Sequence, residues 1–284
     1  MTETLKSLTF ENHGRDAAGL RYVYPVVSRR AGGVSVGINL NTDNACNWRC
    51  VYCQVPDLAR GDAPPVDLAL LRREFGDFLI ELREGTFLRD RVPAKARRIV
   101  DVAISGNGEP TTAREFPLVV AVIEEVLREQ DLLGRVVLRL ITNGSRIRRA
   151  AVVSGLQQMA RCNGEVWFKL DAGSPAVLAR INGVTLSART VARNLRRCAE
   201  LCPTWVQTCA FAWNGRVPLE EDLDAYLGVL RNAGVDRLRG VHLYGIARPS
   251  LQPEAPMLRR LAGAELERLA EAIRATGLRV EASV

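Results

Sequence analysis

The chain has 284 residues, 47% of them hydrophobic, a net charge of +7 and seven cysteines. That length and apolar content fill one large domain or two small ones, and no apolar run reaches the roughly 18 residues of a membrane span. No N-terminal stretch has the form of a secretory signal, and an odd cysteine count with three crowded into one loop argues against a secreted disulfide framework, so a cytoplasmic protein in a reducing compartment is expected.

Of the 39 basic residues only Lys6, Lys95 and Lys169 are lysine. The positive balance is compatible with an anionic partner such as RNA, although no stripe of basic and aromatic residues is visible. The densest basic run, "RIRRA" with Arg146, Arg148 and Arg149, reads as a solvated first helical turn.

Residues 1–33, with "RYVYPVVSRR", precede the regular pattern and form an extension expected to pack on the sheet. Strand-length runs rich in Val, Ile and aromatics follow at 34–40, 98–106, 135–142, 165–171, 204–212 and 238–246. Helical spacing occupies 66–84, 115–131, 146–161, 187–201 and 219–233, with a last helix at 263–276 before "LRVEASV". Gly144-Ser145 is a candidate cap for the third of these helices. The alternation predicts an α/β fold, a partial (β/α)6 TIM-like barrel of parallel strands with right-handed crossovers and its active site at the C-terminal strand ends. Residues 34–250 make the core and 251–284 a C-terminal helix and strand extension. Each of the six strands is followed by a polar or glycine-rich turn, in order Asn41 to Asn44, "GNGEP", "TNG", "DAG", "WNG" and "ARPS". Six such turns in succession describe one constructed rim.

The loop "ACNWRCVYCQV" sets Cys46, Cys50 and Cys53 within eight positions. Thiolates suit zinc, copper(I) or iron-sulfur clusters. Zinc would require a fourth ligand, and His13 and His242 are far away in sequence, with no second C-x-x-C pair. A 4Fe-4S cluster takes one cysteine per iron, so three cysteines leave one iron open. The remaining cysteines, Cys162, Cys198, Cys202 and Cys209, form no compact thiol motif. Ordinary buried cysteines explain Cys198 and Cys202, at i and i+4 of a helix, and Cys209 on a strand, with an auxiliary cluster as the alternative.

C-x-x-x-C-x-x-C with Tyr52 before the last cysteine resembles the signature of the radical S-adenosylmethionine (SAM) superfamily. The resemblance implies a 4Fe-4S cluster on Cys46, Cys50 and Cys53 whose open iron is chelated by SAM. Reductive cleavage of SAM to methionine and a 5′-deoxyadenosyl radical then abstracts hydrogen from substrate. "GNGEP" (Gly106, Asn107, Gly108, Glu109, Pro110) resembles the family's glycine-rich segment that meets the SAM amino group, with glycines explained by close approach of backbone to ligand. "ITNG" resembles the next ligand-facing turn, where Asn143 would bond the methionine part or the ribose. "KLDAG" is similar again, with Lys169 and Asp171 two apart on one strand and both in reach of a bound zwitterion. "LYGIARP", with Tyr244, resembles the segment that supports adenine, and Ser174, Arg180 and Asn182 fall where related enzymes contact SAM.

Plainer roles remain open beside these: packing for Tyr52, a helix cap for Glu109, a structural ion pair for Lys169, a helix stop for Asn182, and for Arg248 either substrate binding or bracing of the rim. The motifs are most similar to the wyosine-base-synthase-like branch, which condenses pyruvate with a methylated guanine in tRNA. There Lys169 is the candidate catalytic residue, by a Schiff base to a ketoacid. The chain departs from that branch in having no cysteine in residues 1–45 for a second cluster. The expected substrate is therefore a small molecule or peptide, with tRNA modification or activation of a glycyl-radical enzyme as alternatives. The expected partners are an electron donor such as flavodoxin or ferredoxin, and no membrane.

Overall fold

A computed structural model describes residues 18–28 and 32–283. The rest of the N-terminal extension, with His13, lies outside the described residues. Nine strands form one sheet. They are β1 (Val23–Ser28), β2 (Gly33–Ile38), β3 (Ile99–Ile104), β4 (Val137–Thr142), β5 (Gly164–Lys169), β6 (Thr204–Trp213), β7 (Gly240–Gly245), β8 (Leu258–Arg260) and β9 (Val280–Ser283). The order is β1-β2-β3-β4-β5-β6-β7-β9, with β8 on β6. Strands β2 to β7 pair in parallel in chain order, which is the partial six-stranded barrel expected from the alternation.

Both edges of this core are covered. β1 runs antiparallel along β2, and Pro25 sits within it, a residue that strands accept mainly at edges because it donates no hydrogen bond. β9 extends the sheet in parallel beyond β7.

The helices are α1 (Leu68–Glu84), α2 (Phe87–Arg91), α3 (Phe116–Glu129), α4 (Ala150–Arg161), α5 (Pro175–Asn182), α6 (Ala188–Leu201), α7 (Pro218–Glu221), α8 (Leu223–Ala233) and α9 (Gly263–Arg274). α4 begins later than its apolar spacing suggests. Residues 145–149 form turns, because Asn143 Oδ1 accepts from Ser145 N at 3.0 Å and Asn47 Nδ2 donates to Ser145 Oγ at 2.7 Å. Arg146 is accordingly not in a helical turn but reaches Asp62 at 2.8 Å. α5 is not among the helices expected from apolar spacing, although the helix stop weighed for Asn182 falls on its last residue. Ser174 caps its N-terminus, Pro175 takes the first position and Gly183 ends it at φ 65°.

Strand alternation separates two environments. On β5, Val166 and Phe168 are buried against the helices, while Glu165, Trp167 and Lys169 occupy the other face. Burial of a Phe168-sized side chain is worth about 2 to 3 kcal/mol. The inward face is polar. Arg139 pairs with Asp101 and, at 2.7 Å, with Glu165, and its guanidinium lies 4.2 Å from the Trp167 ring centre. His242 lies between Trp167 and Trp205, at 4.5 and 4.4 Å between centroids, with Nδ1 3.1 Å from Glu281.

Candidate functional site

A cavity of about 310 Å³ opens at the C-terminal strand ends, lined by Cys46, Cys50 and Cys53 together with the turns after β3 and β4 and one residue each from β4, β5, β6 and β7. Arg139, Trp167, Trp205 and His242 each stand two residues before a lining residue (Ile141, Lys169, Gln207, Tyr244), so the polar ladder lies one pleat beneath it.

The cysteine loop is fixed from several directions. Arg49 N and Val51 N, on either side of Cys50, donate to Asn182 O and Ile181 O at 3.0 and 2.9 Å, which satisfies carbonyls left orphaned at the end of α5. Leu251 N donates to Cys53 O at 2.9 Å, Ser250 Oγ to Val51 O at 2.7 Å and Gln252 Nε2 to Val55 O at 3.0 Å. Arg49 forms a two-point pair with Glu254 at 2.9 and 3.1 Å.

Burial pushes the Cys46 thiol up to about 11 and the Cys50 thiol up to about 12, the latter opposed by the nearby Lys169 charge and the Asn182 amide. Loading a metal must therefore displace protons. Among the described residues no group of three His, Cys, Asp or Glu is arranged to hold a single metal ion. The cavity lining offers, among the described residues, three soft thiols with no histidine and no fourth cysteine, a donor set that suits a 4Fe-4S cluster, with one cysteine per iron and one iron open, better than a closed Cys/His zinc site.

Gly106 and Gly108 approach the chain itself. A Cβ on Gly106 would lie 2.1 Å from Asn39 Oδ1, and one on Gly108 would lie 2.0 Å from Ala45 O. Packing alone thus gives a reason for both glycines, Gly106 lying on Asn39 and Gly108 on Ala45 at the start of the cysteine loop, while both also line the cavity. Asn107 is held by Asn39 and Asn44, at 2.9 Å through its N–H and 2.6 Å through its amide.

Glu109 is 3% exposed and lines the cavity. One oxygen accepts from Thr111 N, Thr111 Oγ1 and Thr142 Oγ1, and the other from Asn143 N at 2.6 Å. Burial raises its pKa and these bonds oppose the rise. Glu109 caps the short 3-10 turn Pro110–Thr112 while presenting an edge to the cavity, so its capping and site positions coincide. Asn143 Nδ2 donates to Asn47 at 2.9 Å.

Lys169 Nζ donates to Tyr244 Oη at 3.1 Å and lies 5.1 Å from the Tyr52 ring centre. Burial disfavours its ammonium, whereas Tyr244, Asp171 and Cys50, when ionised, favour it and raise its pKa above the ordinary lysine value. Burial likewise pushes Tyr52 and Tyr244 up, leaving both phenols neutral.

Asp171 and Asn182 stand outside the cavity lining. β5 ends at Lys169, so the alternation that placed Asp171 beside it does not extend that far. Asp171 instead accepts from Tyr52 Oη, from Asn182 Nδ2 at 2.8 Å and from Cys209 N at 3.0 Å. Ser174 caps α5, and Arg180 reaches Glu221 at 3.4 Å. Gln207, Ser105 and Trp48 line the cavity and were not singled out in the sequence. For Gln207 a signal existed: a lone amide beside Lys169 in register, on the inward face of an otherwise apolar strand.

A family model described as the radical SAM superfamily matches residues 40–216. Among solved structures, Streptococcus suis SuiB bound to precursor peptide SuiA superposes with a TM-score of 0.58 at 12% identity, covering 89% of this chain and 49% of SuiB. TYW1 with a lysine-pyruvate adduct bound superposes with a TM-score of 0.56 at 14% identity, covering 86% of this chain and 74% of TYW1. SuiB bound to S-adenosylmethionine gives 0.52 at 12% identity, over 87% of this chain and 45% of that one. The chain thus spans about half the length of SuiB. No curated protein matches by sequence.

Proposed function

The chain belongs to the radical SAM superfamily, a family of enzymes using a 4Fe-4S cluster and SAM, and from that premise we propose that it abstracts hydrogen from a small-molecule or peptide substrate at the cavity bearing Cys46, Cys50 and Cys53. When bound, cluster and SAM supply the 5′-deoxyadenosyl radical for that step. The observation that carries the reading is that the three thiols share one cavity with Glu109, Asn143, Lys169 and Tyr244.

In this proposal Cys46, Cys50 and Cys53 hold the cluster. Glu109, with one oxygen making a single protein bond, accepts from the SAM amino group. The Gly106–Gly108 turn and Asn143 position the rest of the zwitterion, and Tyr52 and Tyr244 supply flat apolar surface. Lys169, tethered to Tyr244, acts as a fixed positive charge toward a carboxylate and, once deprotonated, is the amine that would form a Schiff base to a ketoacid. Asp171 and Asn182 act from behind the lining. A flavodoxin or ferredoxin in the cytoplasm would deliver the electron. Among the described residues no helix is long and apolar enough to cross a membrane.

The test is anaerobic reconstitution followed by SAM cleavage with a strong reductant. 5′-Deoxyadenosine and methionine should appear together. A protein that binds about four irons but makes no 5′-deoxyadenosine and shows no SAM-dependent spectral change would refute the proposal.

A second reading, modification of tRNA, is favoured by a surface cleft where Arg148, Arg193, Arg196 and Arg197 face a single acid, Glu200. Arginine forks match phosphate. Binding of bulk tRNA that weakens steeply with salt, and less steeply in Arg148→Glu/Arg193→Glu, would support that reading.

A further inference from the structure

We infer that Asn182 is a positioning residue whose side-chain amide donates an N–H···S bond to the Cys50 ligand sulfur and thereby raises the reduction potential of the cluster. The inference rests on the assignment of Cys50 as a cluster ligand.

Asn182 is 0% exposed. Its Nδ2 lies 3.2 Å from Cys50 Sγ and 2.8 Å from Asp171 Oδ2, so both of its N–H bonds have acceptors. Neither the rotamer nor the orientation of this amide is free. Asp171, also 0% exposed, is anchored by Tyr52 Oη and Cys209 N and draws the amide nitrogen toward itself and the sulfur. Turned over, the amide would set its oxygen against a buried carboxylate. The backbone repeats the arrangement, since the last carbonyls of α5 accept the N–H groups on both sides of Cys50. Asn182 thus holds the Cys50 segment at two points, its main-chain carbonyl on Arg49 N and its side chain on the sulfur, and Ile181 O adds a third on Val51 N.

The three cysteines are treated unequally. Cys46 Sγ, among the described residues, meets main-chain donors, Trp48 N at 3.4 Å and the Glu109 backbone. Cys50 Sγ receives a side-chain donor fixed by a buried carboxylate. A hydrogen bond to a cluster sulfur counters the negative charge that grows there when an electron arrives, so it favours the reduced state and raises the potential. Asp171 works in the opposite sense as a nearby negative charge, and the amide stands between it and the sulfur. An Asn at the last position of α5, followed by Gly183, is therefore more than a helix stop.

The experiment compares the reconstituted full-length parent with Asn182→Leu, which keeps the shape and removes the donor. Iron content is measured first and the midpoint potential is then titrated by EPR, without SAM or substrate, so the result is independent of turnover. A chain that takes up no four-iron cluster in either form fails the family assignment on which the inference rests. With iron content equal to the parent, the variant should be harder to reduce, by at least tenfold in the one-electron equilibrium, or about 59 mV. An unchanged or higher potential overturns the inference and leaves Asn182 a scaffold residue. If the variant does not retain iron, the parent carries the test through 15N-asparagine labelling. A 15N coupling at the reduced cluster supports the bond, and its absence overturns it.

Discussion

Gly108→Ala tests whether the "GNGEP" turn is shaped by the cysteine loop. The new Cβ would lie 2.0 Å from Ala45 O and 2.6 Å from Asn41 Nδ2, the pair that makes a 2.8 Å hydrogen bond. Ordinary contact with a carbonyl oxygen is more than 1 Å longer, and the atom met is backbone one residue before Cys46, so no side chain can swing away. Overpacking of this kind costs about 1 to 3 kcal/mol, and the buried Asn41 amide loses its acceptor for about 1 to 3 kcal/mol more. The sum, about 2 to 6 kcal/mol, is to be read as a lower urea midpoint of the cluster-free protein, with iron uptake measured in parallel. Gly228→Ala is the control: it lies within α8 with nothing inside 4 Å of its Cβ, and should be neutral or stabilising by up to about 1 kcal/mol. A Gly108→Ala protein as stable as the control and with full iron would refute the reasoning.

Gly144→Ala should also destabilise by about 2 to 4 kcal/mol, because Gly144 sits at φ 67° and a Cβ there would strike Phe168 at 2.0 Å; urea denaturation with an unchanged midpoint would contradict this. Cys50→Ala should abolish cluster and SAM cleavage together, and a full cluster in that variant would contradict its role. Lys169→Met should retain iron but weaken SAM binding at least about tenfold, the worth of one charged hydrogen bond; equal SAM affinity by equilibrium dialysis would remove Lys169 from the site. Burial pushes Cys198 up to about 12, while an unfolded thiol ionises near about 8.5. The folded state keeps a proton the unfolded state loses, so stability is intact below about pH 8.5 and falls from there to about pH 12 by about 1.4 kcal/mol per unit for this thiol. A urea midpoint that holds or rises between pH 8 and pH 10 would be incompatible with that sign.

The parts of the fold written in local periodicity were legible. β2 to β7 and the helices between them follow from Val- and Ile-rich runs alternating with amphipathic ones, and the rim turns follow from their positions after those strands. Where tertiary contacts set the outcome, the sequence was silent or misleading. Gly144-Ser145 resembles a helix start, yet Asn47 and Asn143 hold Ser145 in a turn and α4 waits until Ala150. α5 has eight residues, too few for a periodic signal, although Ser174, Pro175 and Gly183 mark both its ends. Lys169 and Asp171 both meet Tyr52, but β5 ends at Lys169 and only Lys169 reaches the cavity lining. Asn182, placed by resemblance against SAM, stands against Cys50 Sγ because the end of α5 packs on the cysteine loop.

That packing also bears on biosynthesis. The contacts made by Ser250, Leu251, Gln252 and Glu254 to a loop centred on Cys50 join residues about two hundred positions apart. The three thiols precede these partners by about two hundred positions, so their enclosure waits until that later segment has folded onto the loop. A cluster supplied before that stage would meet a loose tripod open to oxygen and competing metals, and one supplied afterwards must enter a nearly finished wall. A chain truncated before residue 250 should therefore incorporate iron poorly even with every ligand cysteine in place.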